Sequence, residues 1–276
     1  MPRIDAHQHF WKFDPIRDSW IDATMSTIQR DFFPADLKPL LDAQGIEGCV
    51  IVQSDQSEAE NVFQLKNSEG HDFVKGVVGW VDLQAENVED QLAHYKAFRK
   101  MKGFRHVLQG EPQRDFMLNA AFMRGVEKLK KFGYTYDILI YPDQLAYAEK
   151  FVQAFPDQPF VLDHIAKPSI RTGDLLQWKS GMEALAAHDN VWCKVSGMVT
   201  EADWQRWKPD DFVPYLDTVV EAFGTHRLMF GSDWPVCLVA ASYPEVYALA
   251  QKYFSTFSEH EQDAIFGANA IKFYNL

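Results

Sequence analysis

The stretch IDAHQHF, residues 4–10, carries two histidines at strand spacing, His7 and His9. Residues two apart point to the same face of a strand, so Asp5, His7 and His9 are expected to line one face. Burying such a row costs free energy unless a metal, a substrate or a hydrogen-bond network satisfies it. The stretch therefore predicts a strand that ends at a polar site.

Seven further runs also predict strands. Each is rich in β-branched or apolar residues and is bounded by Gly, Pro, Asp or Asn. With the first run, the predicted strands cover 3–10, 49–54, 74–82, 101–107, 135–141, 159–165, 191–197 and 227–233. Amphipathic segments that predict helices lie at 34–45, 88–101, 118–133, 143–156, 175–189, 211–224 and 242–254. The segment 11–33 is interpreted as a loop over the end of the first strand.

Strands that alternate with helices indicate parallel βαβ units. Eight such units in 276 residues predict an α/β fold, a (β/α)8 TIM barrel that forms a single domain over residues 1–276. A doubly wound sheet is the alternative, but no glycine-rich phosphate loop follows an early strand.

Polar side chains recur late in the predicted strands, where the active sites of barrels lie. They include His7, His9, Gln53, Trp80, Arg105, His106, Tyr141, His164, Lys194, Asp233 and Trp234. Their consistent position at one end of the runs predicts a shared site.

The composition limits the class of partner and the compartment. The net charge is −12 and no Lys/Arg cluster stands out, which disfavours nucleic-acid binding. Cys49, Cys193 and Cys237 are sparse and unpatterned, as in proteins of reducing compartments. The N-terminus has no apolar run like a signal peptide, and no run approaches the length of a membrane span. We expect a cytoplasmic protein with no membrane partner, as a monomer or homodimer.

Longer stretches carry a resemblance to a known family. FFPADLKPLL (32–41), GFRHVLQGEP (103–112), FVLDHIAKP (160–168), CKVSGMVTEADW (193–204) and RLMFGSDWPVCL (227–238) resemble the family 2 branch of the amidohydrolase superfamily that holds L-fuconolactonase- and L-rhamnonolactonase-like enzymes. The resemblance covers essentially the whole chain. It implies a TIM barrel that opens a sugar lactone to the free acid.

The resemblance also implies roles for matching residues. His7, His9, His164 and Asp233 would be catalytic, with Asp233 activating the attacking water. His7, His9 and Asp233 would hold one divalent ion such as zinc, although some related lactonases are thought to work without metal. Tyr141 stands where many superfamily members have a metal-binding histidine, so a two-metal centre is not expected. Glu111 is a further candidate ligand.

Substrate contacts are expected from the other strand ends. Arg105, His106 or His164 would stabilise the oxyanion, and the predicted grip on a polyol comes from Gln53, Trp80, Arg105, His106, Tyr141 and Trp234. Two alternatives remain. A decarboxylase or dicarboxylate-lactone hydrolase would need more cations than Arg105 with help from Lys194 and Lys167. A non-catalytic sugar-binding protein would not need the histidines and Asp233 together.

Overall fold

The computed structural model describes residues 1–276, and eight parallel strands form its centre in the order β1 to β8. The strands are β1 (Ile4–Gln8), β2 (Gly48–Val52), β3 (Val74–Gly79), β4 (Met101–His106), β5 (Thr135–Ile138), β6 (Phe160–Leu162), β7 (Val191–Val195) and β8 (Leu228–Phe230). Each strand pairs with the next one in the chain. The predicted α/β barrel is confirmed.

Helices follow the strands, and most of them cover the outside of the barrel, whereas the last one packs its Tyr274 against Asp137 of β5. They are α1 (Pro34–Ala43), α2 (Glu58–Glu69), α3 (Val88–Tyr95), α4 (Ala120–Leu129), α5 (Leu145–Gln153), α6 (Leu176–Ala186), α7 (Val213–Phe223), α8 (Tyr243–Phe254), α9 (Glu259–Asp263) and α10 (Asn269–Tyr274). A core of 67 buried residues joins strands to helices, and a second cluster of 10 includes Val50, Val161 and Phe273. None of the helices is both long and apolar enough to cross a membrane.

The barrel is joined where β1 meets the chain that follows β8. The amide of His9 donates to the carbonyl oxygen of Trp234 at 2.7 Å, and the amide of Asp233 donates to the carbonyl oxygen of His7 at 2.8 Å. These two bonds hold the backbone of His7 and His9 directly beside Asp233, which comes from the other end of the chain.

Strand β1 does not keep the simple alternation that its sequence predicts. Its pairing register with β2 shifts between Asp5 and Gln8. Asp5 accepts hydrogen bonds from the amide of Ser232 and the hydroxyl of Tyr243, at the start of α8, whereas His7 reaches Lys194 of β7. The expectation that Asp5 shares a face with the histidines is therefore wrong, because an irregularity in the strand re-aims the side chains that follow it.

Helix α2 was not anticipated from the sequence. Its buried positions include Glu60, Asn61, Gln64 and Ser68, so the inward face lacks the apolar stripe that predicts a helix. The polar groups find partners: Gln64 donates to the carbonyl oxygen of Phe10 at 2.6 Å, and Asn61 donates to that of Trp80 at 2.6 Å. Segment 11–33 is largely a loop, with a short 3-10 turn at Ala23–Ile28.

Candidate active site

A cavity of about 600 Å³ opens at the carboxyl ends of the strands. Five of the predicted catalytic and substrate-binding residues line it: His9, Arg105, Tyr141, His164 and Asp233. His7 lies beneath them and is fully buried. The strand ends therefore bring these six side chains into one region of the molecule.

Two histidines and one carboxylate converge at the floor of the cavity. Nε2 of His9 lies 3.2 Å from Nε2 of His7 and 3.2 Å from Oδ1 of Asp233. Nε2 of His7 lies 3.9 Å from the same carboxylate oxygen. His164 approaches from the other side, with its Nε2 3.8 Å from Oδ1 of Asp233.

Hydrogen bonds at the other ring nitrogens orient the two imidazoles. Nδ1 of His9 lies 2.7 Å from the carbonyl oxygen of Val52, which can only accept, so Nδ1 carries the hydrogen and Nε2 the lone pair. Nδ1 of His7 lies 3.3 Å from Oδ1 of Asp163 and 3.1 Å from Nζ of Lys194. Donation to Asp163 leaves Nε2 of His7 bare, whereas acceptance from Lys194 makes Nε2 a donor to His9.

Burial disfavours the charged forms of His7 and His164. Burial and the nearby Lys194 ammonium lower the pKa of His7 well below its ordinary value, and burial does the same to the pKa of His164. Burial alone would raise the pKa of Asp233, but the His164 and His9 rings outweigh it and the pKa lies below its usual value. Neutral imidazoles beside an ionised carboxylate are suited to bind a cation or to accept a proton.

Two of these side chains sit on left-handed backbone. His164 has φ of 54° and Asp233 has φ of 56°. Such values cost non-glycine residues about 1–2 kcal/mol each and tend to occur at functional sites. Gly197 (φ 64°) leaves room for the His164 ring, because a Cβ at that position would lie 2.6 Å from it.

A network of buried charges supports the floor from below. Nζ of Lys194 lies 2.5 Å from Oδ2 of Asp137 and 2.9 Å from Oδ1 of Asp163, and all three side chains are fully buried. Arg105 donates to Oδ2 of Asp163 at 2.9 Å. Burial opposes ionisation of Asp163, but Lys194, His7 and Arg105 outweigh it and hold its pKa well below the usual range. This network fixes the ring of His7, and the role of Asp137 was not anticipated from the sequence.

Four predicted substrate contacts do not line the cavity: Gln53, Trp80, His106 and Trp234. Gln53 is fully buried and donates to the carbonyl oxygen of Arg105 at 3.0 Å. Trp234 is also buried, and its ring packs against Phe32. Gln53 and Trp234 therefore contact other parts of the protein instead of the cavity. Their positions at strand ends do not reveal this.

His106 and Trp80 bind each other rather than facing the cavity. Trp80 donates to Nδ1 of His106 at 3.3 Å, and Nε2 of His106 lies 2.7 Å from Oε1 of Glu111. The His106 ring stacks on Phe116 with 5.1 Å between ring centroids. Glu111 is thus the partner of His106, and the expectation that it adds a metal ligand is not supported.

Loops supply cavity residues that the strand pattern did not point to. The additional polar and aromatic residues are Arg17, Trp20, Ser54, Asp55, Gln56, Gln109, Thr200, Glu201 and Trp204. Trp20 belongs to the segment 11–33, which the sequence marks only as a loop over the first strand. A loop's path over the strand ends depends on tertiary packing, so sequence spacing gave no signal for the rest.

The ligand atoms fit one divalent ion. A tetrahedral zinc with bonds of about 2.0–2.1 Å needs donor atoms roughly 3.3 Å apart. Nε2 of His9 lies 3.2 Å from Nε2 of His7 and 3.2 Å from Oδ1 of Asp233, so two of the three distances among these donor atoms fit. Donor atoms of His7, His164 and Asp233 also lie within 4.8 Å of one another, so His164 joins the three predicted ligands as a candidate.

The chain is similar to known proteins over nearly its whole length. A model described as Amidohydrolase matches residues 4–276. An L-fucono-1,5-lactonase from Burkholderia multivorans is 39% identical over 99% of this chain and 96% of its own length. An L-fucono-1,5-lactonase from Burkholderia ambifaria is 35% identical over 99% of this chain and 96% of its own length. A crystal structure of a Burkholderia multivorans amidohydrolase with bound zinc superposes with a TM-score of 0.97 at 39% identity, covering 100% of both chains.

Proposed function

The chain belongs to the amidohydrolase family, and from that membership we propose that it is a hydrolase that opens a sugar lactone, with L-fucono-1,5-lactone as the first candidate substrate. Two lactonase relatives that match nearly the whole chain support this substrate class. The observation that carries the proposal is the convergence of the His7 and His9 imidazoles on Asp233 at the floor of an open, polar cavity.

The residues present fit a zinc ion, held in the proposal by His7, His9 and Asp233, with His164 beside them. When bound, such an ion polarises a carbonyl and lowers the pKa of a bound water. The hydrogen bond of His9 to Val52 leaves its Nε2 free, and donation from Nδ1 of His7 to Asp163 leaves Nε2 of His7 free as well. Zinc in the homologous amidohydrolase supports this assignment.

Asp233 is the proposed base. Its lowered pKa keeps it ionised near neutral pH, so it can accept a proton from the attacking water. A lactone is an ester, whose carbonyl needs less activation than that of an amide, so a weak base suffices if the water is well positioned. The protonated Asp233 then returns the proton to the ring oxygen that leaves.

Arg105 and His164 are the proposed partners of the oxyanion, since both line the cavity next to Asp233. The Arg105 guanidinium is held by Asp163 and by the carbonyl oxygen of Gln53. A donor fixed before the reaction stabilises developing charge without reorganisation. Nδ1 of His164 lies 2.9 Å from Oγ of Ser196, which fixes that ring as well.

The cavity suits a neutral polyol. Trp20 and Tyr141 keep 43% and 39% of their surface exposed, which leaves aromatic faces for a sugar ring. Each cavity cation already has a carboxylate partner: Arg17 binds Asp18, Lys167 lies 3.8 Å from Glu201, and Arg105 binds Asp163. A substrate with two carboxylates would need free cations, so the cavity does not favour the decarboxylase or dicarboxylate-lactone alternative.

The net charge of −12 supports a protein without nucleic-acid partners. Three buried free cysteines support a reducing compartment, and we place the enzyme in the cytoplasm as a monomer or homodimer.

A pH-indicator assay tests the function. L-fucono-1,5-lactone, L-rhamnonolactone and D-galactonolactone are compared with the uncatalysed rate and with the Asp233→Asn variant. We expect hydrolysis well above both backgrounds, with the fuconolactone fastest. Saturable binding of all three lactones without hydrolysis would instead identify a sugar-binding protein.

A further inference from the structure

A second cavity lies at the opposite end of the barrel from the candidate active site. It measures about 630 Å³ and is lined by the chain around the starts of β3, β4 and β5 and by the last turn of α10. None of its lining residues lines the first cavity. Its volume is within the range of pockets that hold small molecules.

Cations dominate the wall of this cavity. The lining includes Lys75, Lys96, Arg99, Lys100 and Lys102, against Asp72 as the one acidic side chain. The chain as a whole has 39 acidic and 27 basic residues, so the local balance is opposite to that of the molecule. The sequence showed no basic cluster because Lys75 and the segment 96–102 meet only in the fold.

These cations lack carboxylate partners. None of the five takes part in a salt bridge within 4.0 Å, although 20 such pairs occur in the molecule. Nζ of Lys102 donates to the carbonyl oxygen of Asn275 at 2.7 Å, and Nζ of Lys96 to that of Phe132 at 2.9 Å. Lys75 and Arg99 make no side-chain hydrogen bond.

The positive charges also act on one another. Burial, with Arg99 and Lys96, lowers the pKa of Lys102, and burial lowers the pKa of Lys100. Like charges gathered in a partly desolvated cavity are unfavourable unless an anion is present. The cost of this arrangement therefore points to a ligand that carries several negative charges.

The rest of the wall limits the kind of anion. Apolar and aromatic residues, among them Phe98, Met101, Tyr134 and Phe273, make up about half of the lining. Nζ of Lys96 lies 5.4 Å from the centre of the Tyr134 ring. Such a mixed wall suits a small molecule with a phosphate-bearing end and a less polar body. The strongly acidic remainder of the molecule disfavours nucleic acid.

We propose that this cavity, lined by Lys75, Lys96, Arg99, Lys100 and Lys102, binds a small phosphorylated molecule with at least two negative charges. The inference does not depend on the proposed function, because it concerns the other end of the barrel. Two sources share the chemistry, a nucleoside diphosphate and a bisphosphorylated sugar.

Isothermal titration of the full-length protein with pyrophosphate, ADP and fructose 1,6-bisphosphate at fixed ionic strength tests the proposal. We expect saturable binding of pyrophosphate at one site per chain. Tighter binding of ADP would assign the apolar wall to a base, and tighter binding of the bisphosphate would assign it to a sugar; either result supports the site. Absence of saturable binding by all three probes would overturn it.

A pair of charge-matched variants places the site. Lys75→Gln with Arg99→Gln removes two cations that hold no structural hydrogen bond, and binding is expected to weaken at least tenfold. Lys150→Gln with Lys252→Gln removes two exposed cations elsewhere, and binding should stay within about twofold of the parent. Equal weakening in both variants, or undiminished binding in the first, would contradict the assignment. Circular dichroism and lactone hydrolysis, unchanged in both, serve as folding controls.

Discussion

Nε2 of His7 and Nε2 of His9 lie 3.2 Å apart, and the side chain of Asp233 closes the third corner of the group. Two bare nitrogens at this distance would repel each other, so either a cation lies between them or one nitrogen carries a hydrogen. His7 has a hydrogen-bond partner for either case. Donation from Nδ1 to Asp163 leaves Nε2 free to bind a cation, and acceptance from Lys194 puts the hydrogen on Nε2. The site is therefore built to accept a metal, and it also has a hydrogen-bonded arrangement without one.

Removing the metal is the direct test of this arrangement. We expect chelation followed by dialysis to lower lactone hydrolysis at least tenfold and added zinc to restore it. His9→Ala should reduce bound zinc measured by elemental analysis to well below one per chain. His94→Ala, an exposed histidine on α3, is the control and should keep its zinc. Full activity in metal-free protein would show that the histidines work through the hydrogen-bonded arrangement.

Asp233→Asn should abolish most turnover. An amide cannot take a proton from water, and loss of a general base costs about 10²- to 10⁴-fold in rate. The fold should remain, because the backbone N–H of residue 233 still donates to the carbonyl oxygen of His7. The measurement is kcat on the best lactone, with circular dichroism as the folding check. A kcat within threefold of the parent would eliminate Asp233 as the base.

Lys194→Met should destabilise the protein strongly. It leaves Asp137 and Asp163 buried without their shared cation, and breaking such a buried pair costs about 3–5 kcal/mol. Lys150→Met, at an exposed position, should change the unfolding free energy by less than about 0.5 kcal/mol. Urea unfolding followed by fluorescence gives both values. A loss for Lys194→Met no larger than that of the control would mean that the network does not depend on this lysine.

Two glycines separate backbone strain from a clash in the site. Gly173 and Gly197 both have positive φ, 73° and 64°, but a Cβ at Gly173 meets nothing within 4 Å, whereas a Cβ at Gly197 lies 2.6 Å from the His164 ring. Gly173→Ala should cost about 1–2 kcal/mol of stability and leave kcat unchanged. Gly197→Ala should cost more and lower kcat. Equal effects on kcat would show that the position of His164 is unimportant for turnover.

Glu60 makes part of the stability depend on pH. Burial raises its pKa, so the folded state holds the proton more tightly than the unfolded state. Its contribution to stability is therefore greatest in acid and is lost as the pH rises through its folded pKa. The stability of the parent relative to Glu60→Gln should fall as the pH rises above 4.5, the ordinary pKa of a glutamate, in urea unfolding. Glu58→Gln, exposed on the same helix, should show no such trend.

The sequence was most informative where one local rule decides the structure. All eight strands were found, because buried parallel strands are continuous apolar runs. Helix α2 was missed because its buried face is polar, and its hydrogen bonds to Phe10 and Trp80 are visible only in the fold. A helix whose buried face carries amide side chains shows no hydrophobic periodicity in its sequence.

The residues at the base of the candidate site were predictable from the sequence, whereas those that line the rest of the cavity were less so. His7 at the end of β1, His9 just after it and Asp233 after β8 are near one another because strand ends converge, which the barrel dictates. Trp80 and His106 also stand at strand ends, but they satisfy each other. The choice between facing a cavity and bonding to a neighbour depends on side-chain rotamers and loops, which the spacing of residues does not encode.

The bonds that join His7 and His9 to the segment of Asp233 and Trp234 have a consequence for synthesis. The ribosome makes the histidine pair first, and their partner Asp233 follows more than 220 positions later. A nascent chain therefore carries its histidine pair without the carboxylate until Asp233 has been made. On the proposed mechanism, a chain that ends before Asp233 is expected to be inert toward lactones, and activity is expected only after the segment that follows β8 has joined β1.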